Sequence, residues 1–148
     1  MPHSRSLACI APIAAVLLLV VATRSYGAGT TSADIFGRWL TDDGKGIVTV
    51  AQCGDTVCGR IIQVLDREPG VPAVDVNNPD PSLRKRAILG LPVLAGFRRD
   101  AGQWSGRAYD PKSGRSYRSQ LALNPDGSLK VTGCVLFICR SKRWRRVP

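Results

Sequence analysis

The stretch YDPKSGRSYRSQLALNPDG, from Tyr109 to Gly127, decides how this chain folds. In Asn124-Pro125-Asp126-Gly127, Pro125 presets φ, Asn124 and Asp126 offer side-chain acceptors, and Gly127 takes positive φ at no steric cost. Asp110-Pro111-Lys112-Ser113-Gly114 repeats that logic one hairpin earlier. Between the two turns, Tyr117, Ser119, Leu121 and Leu123 share one face and Arg118, Gln120 and Ala122 the other. The first set is expected to face inward. A strand held between two tight turns predicts antiparallel pairing in sequence order, a meander.

Working outward, short β-rich runs recur about every ten residues with turn signals between them. They are Ile35–Leu40, Ile47–Gln52, Val57–Leu65, Val93–Arg98, Gln103–Tyr109, Arg115–Leu123, Ser128–Val135 and Cys139–Val147. Helical periodicity is hard to find, apart from a short turn expected around Pro81–Ala87. The fold class is therefore all-β: an antiparallel up-and-down barrel of about eight strands with one long loop, Asp66–Pro92. A two-sheet sandwich is the alternative, and the barrel is favoured because closure removes exposed edges. The loop is too long for a simple connection, and such loops are usually functional or mobile.

Before the first run stands a different kind of sequence. Arg5 precedes an apolar stretch, Leu7–Ala22, which gives way to small residues around Gly27. That order describes a cleaved secretory signal peptide, residues 1–27, followed by a single domain, 28–148. The apolar run falls short of the roughly 20 residues a spanning helix needs, which disfavours the uncleaved-anchor alternative. The expected location is periplasmic or secreted. Removing Arg5 and Arg24 leaves 19 basic residues against 11 acidic ones. For an exported chain this surplus speaks against nucleic acid and for an anionic envelope surface, an acidic ligand, or plain solubility.

Four cysteines follow the leader, spaced C-x4-C twice. An even count in a small exported chain argues for disulfides. Cys53–Cys58 and Cys134–Cys139, each closing a hairpin between directly opposed residues, are the favoured pairs, with cross-pairing between hairpins left open. A four-thiolate zinc site would need a reducing compartment and usually tighter spacing.

Cleavage also removes His3, the only histidine. Histidine triads, imidazole acid–base chemistry and imidazole metal sites lose their central residue. Oxidised cysteines supply no thiolate, and Glu68 is the only glutamate. Catalysis is not expected, and no cofactor or metal is.

The candidate binding residues are Trp39, Trp104 and Tyr117, whose rings could line a cavity along with Tyr109 and Trp144, and the loop set Asp75, Asn77, Asn78 and Asp80. Four oxygen-bearing side chains within six residues suit a hard cation, a ligand, or the loop's own backbone amides, and this set lacks the glycine and terminal glutamate of a calcium loop. Arg84-Lys85-Arg86 forms a surface basic patch that could meet anionic lipid. On the last strand, Arg140, Lys142, Trp144 and Arg146 share one face and Arg143, Arg145 and Val147 the other. Alternation alone cannot say which face is inside.

Gly37-Arg38-Trp39 is similar to the Gly-x-Trp that opens lipocalin-like barrels, where the indole plugs one end and an arginine from the last strand stacks on it. A wider set resembles the exported bacterial family labelled DUF2147. It comprises Gly37-Arg38-Trp39, Cys53-Gly54 with Cys58-Gly59, Asp75-Val76-Asn77-Asn78-Pro79-Asp80, Leu89-Gly90-Leu91-Pro92, Trp104-Ser105-Gly106, Tyr109-Asp110-Pro111, Gly114, Tyr117, Gly133-Cys134 and Trp144-x-Arg146. The family often has threonine between the final tryptophan and arginine, where this chain has Arg145. The resemblance implies export and a calycin-type barrel and names no activity. The expected function is a small-ligand-binding protein holding an apolar or amphipathic molecule. The alternative is a cell-envelope protein acting through a basic surface with no internal ligand.

Overall fold

A computed structural model describes residues 35–66 and 73–148. The expected signal peptide lies outside the described residues. Eight strands form: β1 (Gly37–Leu40), β2 (Gly46–Cys53), β3 (Thr56–Val64), β4 (Pro92–Asp100), β5 (Gln103–Asp110), β6 (Arg115–Leu123), β7 (Leu129–Val135) and β8 (Ile138–Val147). Each pairs antiparallel with its neighbour in sequence, and β1 pairs with β8 to close the barrel. The sandwich alternative is thereby replaced by a meander without edges.

Both turns of the opening stretch behave as their residues dictate. Asn124 N–H donates to the Ser128 carbonyl and Gly127 N–H to the Asn124 carbonyl, each at 2.9 Å, with Gly127 at φ 77°. Gly114 N–H donates to the Asp110 carbonyl at 2.8 Å. Between them Ser119 and Leu121 are buried, and Leu123 packs against the core.

The meander gives the barrel two unlike ends. Short turns at 54–55, 101–102 and 124–128 gather at one end together with Ile35 and Phe36; this end is closed. Trp39, wholly buried, donates from Nε1 to the Ile35 carbonyl at 2.9 Å. The Arg146 guanidinium lies 4.2 Å from the centre of its ring and donates to the Phe36 carbonyl at 2.8 Å. Gly37 explains itself here: at φ 127°, any Cβ would stand 2.7 Å from Arg146 Nη1. Of the four arginines that β8 offered as partners for the indole, Arg146 is the one that stacks.

The connections 41–45, 65–91, 111–114 and 136–137 form the other, open end. Both disulfides pair within hairpins, Cys53 with Cys58 and Cys134 with Cys139. Cys134 and Cys139 are directly opposed, as expected. Cys53 instead faces Thr56, and Cys58 faces Ala51, so that bridge runs diagonally. The expected helical turn is a single 3₁₀ turn, Pro81–Leu83, inside the long loop.

Candidate functional site

A cavity of about 760 Å³ opens between the loops of the open end. Val48, Ile61, Val93, Leu94 and Val131 give its lower wall an apolar surface, and Trp144 faces it from β8. Tyr117 and Ser119 add hydroxyls from β6, one level up, and Lys45, Lys112, Arg115, Arg140 and Lys142 stand around the mouth.

The cavity settles the ambiguity of the last strand. Ile138, Arg140, Lys142 and Trp144 line it, so the face that carries Arg140, Lys142 and Arg146 is the inner one. Across from Arg140 stands Gly133, whose missing side chain leaves the space beside Tyr117 open. Lys45 pairs with Asp66, Lys112 with Asp43, and Lys142 with Asp42 at 3.5 Å. Burial pushes the Asp43 carboxyl up, but hydrogen bonds from Lys112, Thr41 and Lys45 outweigh it and hold it well below the usual carboxylate range. Arg115 and Arg140 have no ion-pair partner among the described residues. Deeper down, Trp144 Nε1 is a buried donor without an acceptor. A buried donor left unmade is costly, so this N–H suits an acceptor that arrives with a ligand or water.

The long loop is tied to the barrel beside this mouth. Val74 and Ala87 bridge, and Ile88 N–H donates to the Ala73 carbonyl at 2.8 Å. Asp75 is fully buried, and both its oxygens are taken. Oδ1 accepts from Tyr109 Oη at 2.6 Å, and Oδ2 from Asn78 Nδ2 at 2.8 Å and Arg86 Nε at 2.9 Å. Asn77 Nδ2 reaches the Lys112 carbonyl at 2.9 Å. Asp80 caps the 3₁₀ turn by accepting from Ser82. Of the four loop residues, Asn77 alone reaches the cavity wall. A guanidinium occupies the place where a cation would meet Asp75, and no metal-binding cluster of histidine, cysteine, aspartate or glutamate exists among the described residues.

The other expected residues divide. Tyr117, Tyr109 and Trp144 line the cavity. Trp39 and Trp104 sit at the closed end, Trp104 against Phe36 and beneath Arg99. The basic run is not one solvated patch: Arg86 turns in to Asp75, Arg84 Nε donates to the Asn78 carbonyl at 2.8 Å, and Lys85 points out. What the sequence did not single out is the pair of inward cations, Arg140 and Lys142. An apolar-inside rule hides them.

Residues 37–146 match the family described as "Uncharacterized protein conserved in bacteria (DUF2147)". Among solved structures the chain is similar to a protein described as "Protein HP1028 from the human pathogen Helicobacter pylori belongs to the lipocalin family". The identity is 21% and the TM-score 0.67, with 78% of this chain and 84% of that one covered. No curated protein sequence matches the chain.

Proposed function

The chain belongs to the DUF2147 family, and we propose that it is an exported lipocalin-like binding protein that holds a small amphipathic molecule, apolar end down, in the open-ended cavity. The observation that carries this reading is the cavity itself: about 760 Å³, apolar below and cationic at its mouth. That volume suits a single small ligand. Arg115 and Arg140, free of carboxylate partners among the described residues, select an acidic head group. Export is supported by the leader-like segment before the barrel and by two disulfides, which persist in oxidising compartments. Binding is favoured over catalysis because the described cysteines are bonded and Asp42, Asp43 and Asp66 at the rim are engaged by lysines.

Laurate and its methyl ester, titrated by calorimetry, test the reading. Laurate is expected to bind and the ester to bind at least about tenfold more weakly, since hydrogen bonds to charged groups contribute about 1.5–3 kcal/mol. Arg140→Gln should weaken laurate by a similar factor and leave the ester unchanged. Gly133→Leu, at a strand position with ordinary space beside Tyr117, should block both. Equal binding of both ligands to wild type and Gly133→Leu would end the proposal. Native mass spectrometry of protein from the periplasm would show the ligand it carries.

A further inference from the structure

The most exposed large apolar side chains among the described residues stand at the open end, with Ile62, Leu65 and Leu83 less exposed. Leu136 and Phe137, at the tip of the β7–β8 hairpin, are 88% and 89% exposed, and Val135 and Ile138 beside them 55% and 63%. Val76 and Leu89, on the long loop, add to the same end. The closed end presents none.

Turn chemistry does not account for the tip. A two-residue hairpin turn with positive φ favours asparagine and glycine. This one is Leu-Phe, with Leu136 at φ 54°. A leucine there carries both backbone strain and hydration cost. The Cys134–Cys139 disulfide pins the hairpin directly beneath, so the strained turn is held outward instead of relaxing. Two residues per strand beyond the bridge reach about 7 Å. That matches the roughly 5–10 Å to which an interfacial anchor sinks into a leaflet.

The surroundings are basic. Arg118 is the cross-strand neighbour of Cys134, and Arg140 follows Cys139. Both are exposed, and neither has an ion-pair partner among the described residues. Asp42, Asp43 and Asp66 at this end are already neutralised by lysines, and Asp110 accepts from the Lys112 N–H and the Ser113 hydroxyl. We infer that the open end docks on an anionic phospholipid leaflet, with Leu136 and Phe137 inserted at the level of the upper acyl chains and Arg118 and Arg140 on the phosphates. A second copy of the chain is the weaker occupant, because four side chains offer on the order of a few hundred Å², well short of the roughly 1,200 Å² of a stable interface. The inference concerns the surface and stands whether or not the cavity holds laurate-like ligands.

Flotation of the oxidised protein with vesicles tests it, using phosphatidylcholine alone and phosphatidylcholine mixed with phosphatidylglycerol. Wild type is expected to float with the anionic vesicles and to dissociate as salt rises. The double substitution L136E/F137E, confined to exposed positions, should lower the partition at least about tenfold. R118Q/R140Q should lower it about thirtyfold on anionic vesicles only, at about 1 kcal/mol per cation. Phe137→Trp, which keeps the tip apolar, should bind as wild type and blue-shift its emission on binding. Gly133→Leu should partition as wild type, which separates failure of the cavity reading from failure of this one. Equal partition of wild type and L136E/F137E would overturn the inference. So would a wild-type dimer that dissociates on the same double substitution without binding vesicles, since the tip would then cover itself.

Discussion

Asp75→Asn is expected to raise hydrogen exchange at the Asn78 and Ile88 amides by about 30- to 150-fold at neutral pH while leaving amides deep in β6 and β7 nearly unchanged. The carboxylate accepts from Tyr109, Asn78 and Arg86 at once. An amide at that position must aim its NH2 group at one of those donors. Breaking a buried charge pair typically costs about 3–5 kcal/mol, and Arg86, with a third of its side chain exposed, recovers part of that from water, leaving about 2–3 kcal/mol. The loss falls on the docking of the loop, so local exchange is the measurement that reads it.

The pH dependence has a definite sign. Burial pushes the Asp75 carboxyl up, but the hydrogen bonds from Tyr109, Asn78 and Arg86 and the guanidinium charge outweigh burial and hold it below its ordinary value. The phenol of Tyr109 is pushed up by burial and by donating to that carboxylate. A carboxyl lowered in the folded state stabilises fully above its unfolded value of about 3.9, and that contribution is lost as pH falls through the folded value. Exchange in wild type should therefore approach that of Asp75→Asn as pH falls from 7 toward 2. A gap that stays constant over that range would show that the carboxylate charge plays no part.

Gly114→Val should have the larger effect on the loop. Gly114 stands at φ 66°, and a Cβ there would lie 1.8 Å from the Asn77 carbonyl oxygen. No rotamer relieves that overlap, because the obstruction is backbone on both sides. Left-handed backbone costs a non-glycine residue about 1–2 kcal/mol, and the loop must also lift away. The comparison is Gly127→Val, at φ 77° with nothing within 4 Å of its Cβ. Both variants carry the backbone penalty, but only Gly114→Val is expected to open residues 73–91 to limited proteolysis. Equal protease resistance would show that the Asn77 contact does not hold the loop.

The barrel was legible because its information is local. Each strand is bounded by a turn whose residues carry their own reason, and β6 alternates cleanly, so eight strands and their order can be read from the chain. The site was less legible for two physical reasons. Asp75 and Tyr109 are 34 positions apart and meet only because the loop folds back over β5. Oxygen-rich spacing within the loop suits a ligand set as well as loop structure, and most of its acceptors serve the loop itself. In β8, the rule that apolar residues face inward fails because the bore is a cavity with a polar mouth, which turns Arg140 and Lys142 inside. The tryptophans divide for a related reason: Trp39 and Trp104 close one end, and Trp144 reaches the cavity.

The pairing of β1 with β8 also bears on time. Arg38 lies opposite Val147, and its Nη1 donates to the carbonyl of the last residue, Pro148, at 2.5 Å. Before β8 is in place, β1 and β7 each keep one open edge. The ring can shut only when β8 docks on β1, and a contact spanning 110 residues forms slowly. Until that moment the polypeptide stays an open ribbon with two edges, and closure removes both at once.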